Sequence, residues 1–449
     1  MIDETPPATI AEPQPHAVPA APSPAPEATP RRGLLRLRRG GPKDPLGPNY
    51  RKLWVASSIS NLGDGVRLTA LPLMAAELTR EPAQIAAIDL ASTLPWFLFA
   101  LVAGAFVDRV DRRHAMGVAN IVRAILVGLL ALSVLTDNAT LVMLYVVAFL
   151  LGCAETVFDN ASQAILPRLV RKDQLERANG RLYAAEFTTN QFIGPPLGAF
   201  LFVAAAATPF FLDSASFLIA ALLILSFQGS FKNPRDADLP RTTMRADIAE
   251  GVRWLWRHKL LRTLAIMLGT WNALNTAAFS IFVLFALEIL DVGEVGYGVL
   301  ISTLVIGSVL GSLSGSAVSR RLGPGTTLVL SVATGAAMAL VIALTSNPYV
   351  VGAMFAIEGF VTVVWNVITV SMRQTIIPDR LLGRVNSVYR LFGWGSMPIG
   401  AALGGVLATV FGLRAPYFVM GGVLAVMALI AMPLVNNRTI AEARAAALE

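Results

Sequence analysis

The chain holds a single cysteine, Cys153, inside an apolar segment, which excludes both a disulfide framework and a cysteine-based metal site. Histidine is almost as scarce. His16 lies in the N-terminal tail and His114 and His258 lie in basic loops, so none has a partner at metal or triad spacing. The sequence therefore offers no metal, no cofactor site and no enzyme chemistry. Charge is scarce too. Asp, Glu, Lys and Arg make up 14% of the 449 residues, whereas soluble domains carry about 25%. A soluble core is thereby excluded.

What fills the gap is apolar sequence, 55% of all residues, with a mean hydropathy of +0.62. At roughly 20 residues per membrane crossing, the stretch from Tyr50 to Val435 has room for about twelve helices. The apolar runs fall near 52–78, 85–107, 114–136, 140–165, 180–206, 209–228, 262–290, 297–319, 326–345, 349–374, 385–411 and 414–435, here spans 1 to 12. Before them, residues 1–49 are rich in Pro and Ala with a basic cluster, and cannot bury enough apolar surface to fold. The apolar h-region of a signal peptide is missing after those early charges and the first span starts too late, so they do not form one.

The formal charge of +7 does not mark a nucleic-acid binder. The basic residues sit in alternate loops, and the aromatics lie within the spans rather than among them. Segments 108–114, 166–181, 229–262 and 319–321 carry the Lys and Arg, while 137–139, 207–208, 291–296 and 346–348 carry none. The positive-inside rule then places both termini and the middle loop in the cytoplasm. That loop contains Ile248, Val252 and Leu255 at helical spacing, with Trp254 and Trp256 among Arg253, Arg257, His258 and Lys259. It reads as an amphipathic helix at the cytoplasmic interface.

The two halves repeat. Gly104 and Asp108-Arg109 align with Gly315 and Ser319-Arg320 at an offset of 211, and Pro167 meets Pro378 at the same offset. Asn179 meets Asn386 at an offset of 207. Such internal repeats mark secondary transporters. The expected organisation is a disordered tail (1–49), a six-helix bundle (50–228), a linker (229–261), a second six-helix bundle (262–436) and a C-terminal tail (437–449).

Gly104-x-x-x-Asp108-Arg109-x-x-Arg112-Arg113 resembles motif A of the major facilitator superfamily, with Asp111 standing where a glycine usually precedes the arginine pair. The resemblance covers about 50–435. It implies the major facilitator fold, with two pseudo-symmetric bundles and a gate in which Asp108 meets the chain near Asn386 in the outward-facing state. Asp159 is a candidate partner for Arg109 or Arg113. Leu382-Gly383-Arg384-Val385-Asn386-Ser387 and Phe211-Leu212-Asp213-Ser214 resemble the drug:proton antiporter-3 branch, of macrolide-efflux and enterobactin-exporter type. Gly194-Pro195-Pro196-Leu197-Gly198-Ala199 in span 5 resembles the core of an antiporter motif, although Gly194-Pro195 has no counterpart in the second half.

Ionisable residues inside a bilayer each need a reason. Asp64 lies near the middle of span 1, and Ser57, Asn61 and Asp64 share one face at i, i+4 and i+7. It is the leading candidate for a proton site, the alternative being a static pair with Arg67 or Arg123. Glu155 in span 4 and Glu358 in span 10 are the next. Arg123 in span 3 is either the counter-charge to Asp64 or Glu155 or an anion-binding group, and the first reading is preferred. By resemblance, spans 1, 4, 7 and 10 line a cargo cavity, which gives Asn61, Trp271, Asn275, Glu358, Thr362 and Trp365 as its wall. Trp271 and Trp365 lie too deep for an interfacial belt. Asp89 and Asp213 read as structural groups near the outer span ends, within reach of water, and Glu186 is assigned no role.

These residues describe a multi-pass cell-membrane transporter that exports amphipathic small molecules in exchange for protons. Its expected partners are solute, protons and membrane lipid, with the protein acting as a monomer. A proton-coupled importer of a small polar nutrient, or a lipid-handling protein of the same fold, are the alternatives.

Overall fold

The computed structural model describes residues 45–107, 109–171, 174–229, 231 and 244–445. Every regular element among them is helical. The first half runs α1 (Pro48–Leu78), α2 (Pro82–Val107), α3 (Arg112–Leu135), α4 (Leu141–Leu169), α5 (Leu175–Glu186), a π-helical turn (Phe187–Ile193), α6 (Gly194–Ala204) and α7 (Thr208–Leu225). A linker helix, α8 (Met244–Arg257), leads to α9 (Lys259–Phe279), the short α10 (Phe282–Leu284) and a second π turn (Phe285–Ile289). Then follow α11 (Glu294–Leu322), α12 (Pro324–Leu344), α13 (Pro348–Ile376), α14 (Asp379–Gly395), α15 (Met397–Phe411), α16 (Ala415–Leu434) and α17 (Asn437–Ala445).

Helix starts follow local chemistry. Proline, which lacks the N–H that a first turn leaves unbonded anyway, opens α1, α12 and α13. Asp111 caps α3 by accepting from the backbone N–H groups of Arg113 (2.9 Å) and His114 (3.4 Å). Asn347 caps α13 in the same way, through Tyr349 at 2.9 Å.

Eight described helices are long and apolar enough to cross a membrane, and nine if α9 and the Phe282–Ile289 segment, bent by 45°, count as one span. Large apolar side chains such as Leu313, Leu344, Tyr349 and Phe411 stand 73 to 87% exposed on helix surfaces. No soluble protein leaves that much apolar surface to water, and in lipid it costs nothing.

Helices α1 to α7 pack chiefly among themselves, and so do α9 to α16. Of the pairings that cross between the groups, α2 with α15 and α6 with α11 are the most extensive. Both are made where a glycine lets backbones meet. A Cβ on Gly405 would press on Ala83 and Ala86, and one on Gly298 would strike the Pro195 carbonyl and Ala199. Ala83 N donates to Thr409 Oγ1 (3.2 Å), and Thr409 Oγ1 bonds Glu81 (2.7 Å). The molecule is sealed at this end, remote from Pro48.

The linker helix α8 is covered more than an interfacial helix needs. Leu255 is fully buried, Gly251 lies against the Arg384 backbone, and Glu250 is ion-paired with Arg384 of α14. The Trp256 ring meets Phe392 at 5.9 Å.

Candidate functional site

Gly63-Asp64-Gly65 sits midway along α1, and successive residues on a helix turn by about 100° to face different neighbours. A Cβ on Gly63 would collide with Ser216 and Asp213 of α7, and one on Gly65 with the Asn190 backbone in the π turn. Two glycines therefore bring helices close on either side of one carboxylate.

The π turn has its own cause. Pro195 and Pro196 have no N–H to give, so the carbonyls one turn before them lose their ordinary helical partners. Ser302 of α11 supplies a replacement, its hydroxyl donating to the Phe192 carbonyl at 3.2 Å. Past the turn, Gly194 lies on the Gly65 backbone and Gly198 on that of Val66. The antiporter-like Gly194, Pro195 and Gly198 thus form a crossing directly behind Asp64.

Asp64 Oδ1 accepts from Arg67 Nη2 (2.5 Å) and from Arg123 Nη2 (2.8 Å), and Oδ2 accepts from the same Arg123 nitrogen at 3.1 Å. Arg67 Nε in turn donates to Asp213 Oδ2 at 2.8 Å. The Arg123 guanidinium lies 4.0 Å from the centroid of Phe217, a cation–π contact in a site shielded from solvent. Asp213 is 0% exposed and Arg123 only 2%. Asp213 is therefore not a water-washed group at a span end, as the sequence suggests, but the anchor of this network. Position along a span overestimated its access to water because Gly63 lets α1 close over it.

Asp64, Arg67 and Arg123 form one wall of a cavity of about 820 Å³, which also takes in Asn61, Glu155, Asp159 and Glu186. It extends to Asn179 and Tyr183, both exposed, beside the start of α1, where Tyr50 donates to the Ala178 carbonyl at 2.9 Å. The sealed end lies opposite. Trp96 of α2 and Trp394 of α14 meet edge-to-face at 4.6 Å in the cavity wall. Four carboxylates and two guanidiniums line it, an acidic excess.

The second half contributes little to this space beyond Trp394 and Met397. Trp271, Thr362 and Trp365 come together, but around a separate cleft of about 60 Å³. Asn275 and Glu358 also meet, Asn275 Nδ2 donating to Glu358 Oε1, beside another pocket of about 20 Å³. Of the six residues expected to form the cargo wall, Asn61 alone lines the large cavity. In this conformation the other five face inward within their own half, where α9, α12 and α13 close on one another.

In the motif-A loop, Asp108 lies outside the described residues. Gly104 falls in α2, and Arg109 follows it exposed. Arg112 is buried at the start of α3, and Arg113 donates to the Phe227 carbonyl at 2.8 Å. Asp159 faces the cavity and, among the described residues, shows no ion pair with Arg109 or Arg113. Asp111 does more than cap. Its second oxygen accepts from Phe231 N at 3.1 Å, tying the start of the linker to this loop. Burial by itself would raise the Asp111 carboxyl, but the N–H groups of Phe231, Arg113 and His114, with the charge of Arg113, outweigh it and hold it below the usual carboxylate value.

Sequence reasoning missed the roles of Gly63, Gly65 and Asp213. The first two were legible, since a Gly-Asp-Gly triplet in mid-span pairs close packing with a charge; the partnership with Asp213 lies 146 residues away.

Residues 44–448 match the family described as transmembrane secretion effector. The multidrug efflux pump Tap of Mycolicibacterium fortuitum is 26% identical over 85% of this chain and 95% of its own. The enterobactin exporter EntS of Escherichia coli O1:K1 / APEC is 24% identical over 87% of this chain and 93% of its own. A mutant of the nucleoside transporter NupG superposes with a TM-score of 0.70 at 12% identity, covering 87% of this chain and all of that one.

Proposed function

Because the chain belongs to the transmembrane secretion effectors of the major facilitator superfamily, and is a multi-pass small-molecule transporter of the cell membrane, we propose that it exports amphipathic solutes in exchange for protons. The observation that carries this reading is the placement of Asp64. It lies in the wall of a cavity of about 820 Å³, bonded to two arginines. A carboxylate held by cations inside a span can give up its partners on protonation, which couples a proton to rearrangement of α1 against α3.

In this scheme residues 50–228 and 262–436 form two bundles of six spans, both termini face the cytoplasm, and the bundles rock about the cavity. The cavity then opens inward in the conformation seen here, ready to load cargo from the cytoplasm. Its acidic excess favours cargo with a basic centre, and Trp96, Trp394 and Phe158 offer flat apolar contact. The names of Tap and EntS support export and bulky organic cargo. Motif A, Gly104, Asp108, Arg109, Arg112 and Arg113, supplies the gate, and Glu155 assists Asp64.

The test is ΔpH-driven export of a fluorescent cationic dye from energised vesicles. Wild type should export, and Asp64→Asn should bind dye but lose the response to ΔpH. Gradient-driven export that persists unchanged in Asp64→Asn would sink the assignment.

A further inference from the structure

Glu358 is the buried carboxyl that the cycle above leaves unused. It sits ten residues into the 29-residue α13, about 15 Å from the helix start, and is 8% exposed. Asn275 Nδ2 donates to it from α9, and among the described residues no Lys, Arg or His pairs with it. The pocket beside it holds about 20 Å³, too little for an organic cargo.

The groups facing that pocket are apolar from almost every side. From α12 come Gly335, Met338 and Ala339, and from α13 itself Phe355. From α16 comes Tyr417, the one other titratable group in the lining, whose hydroxyl already donates to the Ala278 carbonyl at 3.2 Å. The ionisable groups of α11, which packs along α13, are Glu294, Tyr297, Arg320 and Arg321, and none lines the pocket. An anion here would lack the counter-charge that every buried ion needs, and one amide cannot replace it. The space admits a proton and excludes a solute.

We propose that Glu358 is a second proton-binding site, one that carries its proton in the conformation seen here. Calling it second rests on the reading of Asp64 as the first; its own protonation does not. The carboxyl is then neutral between α9 and α13 while Asp64 is charged between α1 and α3, so the two halves of the repeat hold their mid-span carboxyls in opposite states.

Infrared difference spectroscopy on the purified full-length protein tests this. Wild type minus Glu358→Gln at neutral pH should show a carboxylic-acid carbonyl band, and the same band should appear when both proteins also carry Asp64→Asn. Asn275→Ala keeps the carboxyl and removes its donor, so it should move that band to higher frequency, which covers the case of a poorly folded Glu358→Gln. A Glu358→Gln difference confined to the carboxylate stretches, with no acid band in wild type for Asn275→Ala to move, overturns the proposal. Failure of ΔpH to drive export in wild type would instead remove the Asp64 reading and leave the band where it is.

Discussion

Asp64 and Glu358 are both carboxyls near the middle of a span, Asp64 in the wall of the large cavity and Glu358 buried, and their surroundings are opposite. Around Asp64 the first half assembles two guanidiniums and a second carboxylate, Asp213, within direct hydrogen-bond reach of one another. Around Glu358 the second half offers one amide and a set of apolar side chains. A buried charge is held by its partners, and a buried neutral acid is held by their absence. The two halves of one repeated architecture thus use one residue chemistry in two ways.

The largest expected break falls on the charged side. Asp213→Ala removes a fully buried carboxylate and leaves Arg67, in the cavity wall, with one of its two partners. Removing one member of a buried ion pair costs about 3 to 5 kcal/mol, and exposure of Arg67 to the cavity puts this loss at the lower end. Thermal unfolding in detergent should show that loss, with Asp213→Asn losing less because its amide oxygen still accepts from Arg67. A destabilisation no greater than that of an exposed Asp→Ala would mean the network is not held together as described.

Next come the helix crossings. Gly65→Val and Gly198→Val force a side chain into backbone, on Asn190 and Val66 respectively, and overpacking of this kind costs about 1 to 3 kcal/mol. The second half has the same device, although the sequence hides it. Gly400 and Gly404, spaced like Gly194 and Gly198, lie on the Ala273 and Ala277 backbones. Gly404→Val should therefore destabilise about as much as Gly198→Val, yet only the first-half variants should also displace Asp64 and lower ΔpH-driven export beyond what lost stability explains.

How much of this the sequence carries depends on the range of the interaction. Apolar runs, the family motifs and the prolines that open α1, α12 and α13 are local patterns, and the described helices overlap the apolar runs, although 180–206, 262–290 and 385–411 are each broken into shorter elements. The pairing of Asp64 with Arg67 and Arg123 was legible as one of two readings, because a carboxylate in a span stands out and needs a partner. Asp213 was not, since its partner lies across the bundle and its burial depends on Gly63. The cargo wall was hardly legible, since Asn61 alone of its six expected residues lines the large cavity. The resemblance put Asn275 and Glu358 on that wall, but their bond to each other and the closing of their pocket away from the large cavity depend on how α9, α12 and α13 pack.

The motif-A departure at Asp111 sets a smaller effect outside the spans. Its folded-state carboxyl titrates below the unfolded value because the N–H groups that bond it outweigh burial. Such a group stabilises the fold above the unfolded carboxylate value of about 3.9, and the contribution disappears as pH falls through the lower folded value. Asp111→Ala should thus cost about 1 kcal/mol at neutral pH, with its melting curve converging on wild type as the sample is acidified. A constant gap across that range would remove the charge from the account and leave only packing.

The smallest expected effect is the sharpest on the comparison between the two halves. Glu358→Gln exchanges one uncharged acceptor for another of the same shape, so the bond from Asn275 survives and stability should move by less than about 0.5 kcal/mol. Were Glu358 ionised, the same change would replace a charge-assisted bond worth about 1.5 to 3 kcal/mol by a neutral one. Chemical or thermal unfolding of Glu358→Gln beside Asp64→Asn separates the cases. A large loss at position 64 with almost none at position 358 is the signature of one paired and one protonated carboxyl, while equal losses would place an ion in both halves.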